Sequence, residues 1–154
     1  MPRKTDPSGF TVVELLVVMA VLAIIVTVGI PNFGPTIANS RATAAANDLL
    51  GALQLARSEA VRLNEPVEIS PTTAGNWADG WTISRGGTPI RQRDALARVE
   101  ITGPNAMDFG SVGDARPTPV TSFTFTITAI GGGGPQRCLQ VTASGSTTIT
   151  PGGC

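Results

Sequence analysis

The stretch GFTVVELLVVMAVLAIIVTVGIP, Gly9 to Pro31, carries a single carboxylate, Glu14, among residues that otherwise partition into lipid. As a helix rising 1.5 Å per residue, residues 10–30 span about 31 Å, the thickness of a bilayer's hydrocarbon core. The preceding MPRKTDPSG holds Arg3 and Lys4. Positive-inside bias therefore keeps residues 1–9 in the cytoplasm and sends the rest of the chain across. A secretory signal peptide would have a shorter apolar core followed by a small-residue cleavage site, and nothing of that kind follows Ile30. The small residue, Gly9, lies before the run. A plain signal anchor, with Glu14 near the interface, is one reading of such a segment.

Composition narrows what the remainder does. The chain has 154 residues, 11 basic and 11 acidic, so net charge gives no electrostatic pull toward nucleic acid. It has no His and no Tyr, its only Lys is Lys4, and its only cysteines are Cys138 and Cys154. Histidine triads, histidine metal sites, Schiff-base chemistry on the body and a four-thiolate zinc site are thereby removed. The carboxylates Glu65, Glu68, Asp79, Asp94, Glu100, Asp108 and Asp114 remain, but their spacing selects no catalytic pair. The expectation is a non-enzymatic protein without metal or cofactor.

Beyond Pro31, Gly34-Pro35 offers a second point at which a helix loosens or breaks. Ala42, Ala45, Leu49, Leu53, Ala56, Ala60 and Leu63 then follow three- and four-residue steps, while Arg41, Asp48, Arg57, Glu59 and Arg62 mostly fall elsewhere. This predicts an amphipathic helix with one narrow apolar stripe for packing on a sheet, ended by Asn64-Glu65 and Pro66. Downstream, residues 66–70, 80–85, 97–102, 121–130, 137–143 and 146–150 alternate or are β-branched, separated by Gly, Pro, Asn or Asp. GGGGP at 131–135 reads as a hairpin loop. It is not a phosphate cradle, having no strand–loop–helix context and no following Lys. NWADGW, Asn76 to Trp81, reads as a turn flanked by tryptophans, with Trp81 in the core and Trp77 capping it or partly exposed.

A short basic leader, Gly9, then Phe10-Thr11-Val12-Val13-Glu14 and an apolar helix resemble the class III signal of type IV prepilins and pseudopilins. The GW element and strand pattern of residues 66–143 are similar to the GspH/FimT group within them. The resemblance implies an α+β, pilin-like fold: a long N-terminal α-helix packed on an antiparallel β-sheet or small β-sandwich. The implied organisation is a leader at 1–9, a transmembrane and polymerisation helix at 10–30, an amphipathic continuation at 31–65 and a periplasmic β-rich domain at 66–154. It implies cleavage by prepilin peptidase between Gly9 and Phe10, N-methylation of Phe10, a helix kink at Pro31 and passage from the inner membrane into a filament of other pilins. Glu14 then lies one turn from the new amine of Phe10, or within reach of a neighbour's. Pairing offsets the cost of each charge in lipid and marks register between helices.

Delivery to an oxidising compartment makes a Cys138–Cys154 disulfide the expected state, worth about 3 kcal/mol as a staple on the C-terminal strand. A tail closed in this way resembles the minor-pilin side of the group more than the type II secretion side. Some members of that side bind DNA through a G-R-x-R-like tail. Here Gly145 is present, but Ser146 and Thr148 stand where the arginines would be, so the phosphate-neutralising charge is largely missing. Arg137, with Arg85, Arg91, Arg93 and Arg98, is the remaining candidate DNA patch. The expected function is a minor pilin, with a pseudopilin of type II secretion or a DNA-binding competence pilin as alternatives.

Overall fold

The computed structural model describes residues 9–29, 33–116, 122–130 and 134–154. The chain divides into two units, Met1–Gly34 and Pro35–Cys154. The first holds α1 (Val12–Gly29) and the second all but the first two residues of α2 (Phe33–Leu63). Pro31 lies outside the described residues. Gly34-Pro35 does not break α2 but sits in its first turn. The first four N–H groups of a helix have no intrahelical acceptor, so proline costs no hydrogen bond there.

The predicted stripe is the buried face of α2. Ala38, Ala42, Ala45, Ala46, Leu49, Leu53, Ala56 and Ala60 are buried, and Leu63 packs at the edge. The many alanines let the helix axis approach the sheet closely. The helix ends in a Schellman motif: Asn64 adopts φ +53°, its N–H bonds the Val61 carbonyl at 3.3 Å, and Glu65 N–H bonds the Ala60 carbonyl at 3.2 Å. Pro66 then forbids continuation.

The sheet is a single antiparallel one, and among the described residues it has nine strands: β1 (Val67–Thr73), β2 (Asn76–Arg85), β3 (Thr88–Arg93), β4 (Val99–Thr102), β5 (Met107–Phe109), β6 (Ala115–Arg116), β7 (Ser122–Ala129), β8 (Gln136–Thr142) and β9 (Thr147–Pro151). Its order is β6-β5-β1-β2-β4-β7-β8-β9, with β3 also on β2. β7 and β8 pair from Ser122↔Thr142 to Thr128↔Gln136, as a hairpin requires. Gly131–Gly133 of the predicted loop lie outside the described residues.

Three expectations need correction. NWADGW is not a turn. The β1–β2 turn is at Ala74-Gly75, Thr73 pairs with Asn76, and the whole motif lies in β2. Trp77 is accordingly neither a cap nor partly exposed but fully buried, edge-on to Phe125 with ring centroids 5.0 Å apart. Its Nε1–H donates to the Pro104 carbonyl at 2.7 Å, which satisfies the one polar atom a buried indole brings. β3, β5 and β6 lie outside the predicted strands altogether. TPIRQR of β3 is exposed at every position, so it carries no apolar alternation. Its signal is the turn: Gly86 and Gly87 both have positive φ, +51° and +80°, the two-residue hairpin in which glycine is preferred.

The sheet also curls. Ala115 N–H, in the edge strand β6, donates to the Ala143 carbonyl in the β8–β9 turn at 2.9 Å. Arg57 of α2 stitches the same seam, its Nε–H bonding the Gly113 carbonyl at 2.9 Å and an Nη–H the Ser144 carbonyl at 3.1 Å. The two margins of the sheet thus meet beside the helix.

Candidate assembly site

α1 is apolar on every side. From Phe10, just ahead of it and 82% exposed, to Val26, 53% exposed, the large side chains are open. A helix without a polar face needs lipid or other protein around it. No helix among the described residues is long and apolar enough to cross a membrane. α1 itself has 18 residues, about 27 Å at 1.5 Å per residue, and the predicted run of residues 10–30 ends at Ile30, which lies outside those described. Its polar groups are folded back: the Thr27 hydroxyl donates to the Ala23 and Ile24 carbonyls at 2.9 and 3.0 Å.

Glu14 also has a local partner, Thr11. Its backbone N–H donates to Thr11 Oγ1 at 3.2 Å, while its Oε2 accepts from the Thr11 N–H at 3.4 Å. This is a capping box, and its signature, Thr-x-x-Glu ahead of an apolar run, was present in the sequence. Two helix-terminal donors are satisfied without water, which matters wherever the surroundings cannot supply any. A carboxylate has two oxygens, so Oε1 remains available to an amine such as a freed Phe10 terminus. Gly9 and Phe10 themselves are exposed.

At the other end, Cys138 and Cys154 form a disulfide with Cα atoms 5.0 Å apart. β9 pairs along β8 from Val141↔Thr147 to Arg137↔Pro151, and Gly152 N–H bonds the Gln136 carbonyl at 2.9 Å. Arg137 is turned to structural use. Its guanidinium donates to Asn39 Oδ1, to Thr43 Oγ1 at 3.2 Å and to the Gln136 carbonyl at 3.0 Å, tying β8 to α2. The other arginines do not join it. Arg85 stands 3.8 Å from Glu65, Arg93 pairs with Asp48 at 2.7 Å, and Arg98 borders a hollow with Asp79 and Glu100. Arg57, which the sequence put on the solvated face, closes the sheet. Only the meeting of two loops gives it acceptors, so no local signal announced it.

The carboxylates are dispersed. Among the described residues no three His, Cys, Asp or Glu side chains sit together to hold a metal. Asp114 is held below its ordinary value chiefly by its hydrogen bond from Arg116, at 2.9 Å. Asp108 is pushed up by burial and then by Glu68, its cross-strand neighbour, with Arg116 opposing. A raised carboxylate binds its proton more tightly in the folded chain. Stability is then greatest below the ordinary value of 3.8 and falls as pH rises through the raised one. Asp108→Asn is expected to raise the urea midpoint at pH 7 and leave it unchanged near pH ~3. A lower midpoint at pH 7 would mean that attraction to Arg116 dominates.

The family model described as type II transport protein GspH matches residues 45–146. This chain belongs to the GspH family. The GspH match begins within α2 and ends in the β8–β9 turn, taking in the seam closed by Arg57. A second model, the prokaryotic N-terminal methylation motif, matches residues 6–30. The motif implies peptidase processing and assembly with other pilins, and it makes α1 a pilin-type anchor. Among solved structures, two crystal forms of the Pseudomonas aeruginosa type IV minor pilin FimU are similar. Each is 26% identical over 71% of this chain, with 92% and 87% of FimU covered and TM-scores of 0.60 and 0.61. The GspH-family chain therefore shares the pilin fold, α+β with a helix on an antiparallel sheet. Among curated proteins no relative matches.

Proposed function

We propose that this GspH-family chain is a minor pilin of a type IV pilus, cut after Gly9, methylated on Phe10 and incorporated among the helices of other subunits. Residues 1–9 are the cytoplasmic leader, 10–30 the single inner-membrane span and polymerisation helix, 31–65 its amphipathic continuation and 66–154 the periplasmic domain. The protein acts by packing and performs no catalysis. One observation carries this reading: α1 is exposed and apolar all round, and its one carboxylate is tied to its own N-terminus. Such a helix suits lipid first and a bundle of like helices afterwards.

A second reading, a pseudopilin of a type II secretion system, is favoured by the description of the family model. Similarity to FimU and the disulfide-closed tail favour the pilus. DNA binding is disfavoured by the engagement of Arg137 with α2 and by the lack of charge at Ser146 and Thr148.

The test is the full-length chain in a piliated host. Sheared filaments are expected to contain it, with a mass that begins at methylated Phe10. Glu14→Ala should remain in the membrane fraction yet fall about tenfold in filaments, since it loses both the cap and the amine's partner. Normal incorporation of the variant would sink Glu14's role. Absence of the wild-type chain from filaments, with loss of exoprotein release on its deletion, would favour the secretion reading.

A further inference from the structure

Every buried side chain among the described residues is apolar, yet the inner face of the sheet ends in two charges. In the β2–β3 register Arg91 stands opposite Ile83 and Arg93 opposite Trp81. Residues directly opposite in an antiparallel pair share a face, so both guanidiniums point to the side that carries α2. There they wall a groove of about 460 Å³ whose floor is Trp81 and Ile83 and whose far wall is Asp48, Gly51 and Ala52. Gly51 leaves that wall open, since a Cβ there would meet nothing within 4 Å. Asp48 pairs with Arg93 at 2.7 Å, and Arg91 has no ion-pair partner among the described residues. The groove thus holds one uncompensated cation over an aromatic floor.

We propose that this groove receives an aspartate or glutamate side chain of a neighbouring filament subunit, with Arg91 as its partner. The inference rests on the filament reading above. One net positive charge suits one carboxylate, whereas a nucleic acid is held by many phosphate contacts. Arg93, already engaged by Asp48, orients the pair, and Asp48 repels a carboxylate seated one position away. Inward charges on an exposed strand also deter edge pairing. Glutamate would serve that purpose as well as arginine, so the two roles separate on substitution.

The experiment uses the full-length chain in filaments. Lys4 is the only lysine and lies in the leader, so Arg91→Lys introduces a lone ε-amine into the processed chain. A carbodiimide then couples that amine to a touching carboxylate, forming an amide as the activating agent leaves as its urea. The expected product is an interchain adduct mapped to position 91 and to an acidic residue of a neighbouring subunit. Arg91→Glu, with unchanged circular dichroism, should fall about tenfold in filament recovery. Wild-type recovery of Arg91→Glu, or coupling only to the chain's own Asp48, overturns the groove's role, as does the absence of any interchain adduct. Absence of the wild-type chain from filaments overturns the filament reading itself, and this inference with it.

Discussion

Trp77→Ala is expected to lower the unfolding free energy by about 3–5 kcal/mol, a large share of what a domain of this size possesses. The indole is fully buried, stands edge-on to Phe125 at 86°, and donates to the Pro104 carbonyl at 2.7 Å. Gly103 is packed so closely that a Cβ there would lie 2.5 Å from the Phe125 ring and 3.0 Å from Trp77 Nε1. The site therefore has no slack from which to refill a cavity. Trp77→Phe should lose less, about 1–3 kcal/mol, because it keeps an aromatic ring but leaves the Pro104 carbonyl unpaired. Urea unfolding followed by circular dichroism measures both. A loss below about 1.5 kcal/mol for the alanine variant would mean that the core relaxes around the hole.

Gly145→Ala is expected to cost about 3 kcal/mol or more, although it adds one methyl group to a turn. The residue has φ +76°, where an L side chain is strained by about 1–2 kcal/mol. Its Cβ would stand 2.0 Å from the Gly113 carbonyl oxygen and 2.8 Å from Arg57 Nε. The turn must move, and with it go the Ala115–Ala143 bond and the two bonds of Arg57 that hold the margins of the sheet together. Gly86→Ala is the control. It has φ +51° but nothing within 4 Å of the added carbon, so it should show the backbone cost alone, about 1 kcal/mol. Arg57→Ala should cost about 2 kcal/mol, and adding it to Gly145→Ala should cost less than the sum, because both break one seam. Equal losses for Gly86→Ala and Gly145→Ala would show that the seam contributes nothing.

Elements that announce themselves locally were legible. The α2 stripe repeats at helical spacing because one face must be apolar, and Ala42 through Ala60 are buried as that spacing requires. The strands of 121–130 and 137–143 alternate because one face of each meets the core. β3 was illegible by the same logic, being exposed at all positions. β5 and β6, three and two residues long, are too short to hold a period. The burial of Trp77 is hidden in the sequence because its neighbours are turn-like, whereas the turn lies just ahead of them at Ala74-Gly75.

The sequence by itself determined the N-terminal segment, because its physics is local. An apolar run, a glycine ahead of it, and Thr11 and Glu14 three residues apart settle a helix, its cap and its affinity for lipid without reference to distant residues. Tertiary structure alone decided how the arginines are used. Arg57, Arg91, Arg93 and Arg137 look alike in the sequence, as exposed cations on a polar face. The packing of α2 on the curled sheet brought carbonyls to Arg57, a carboxylate to Arg93 and a hydroxyl to Arg137, and left Arg91 beside a groove with no ion-pair partner among the described residues. Closure between Gly113 and Gly145 depends on strands far apart in the chain, and no periodicity encodes it.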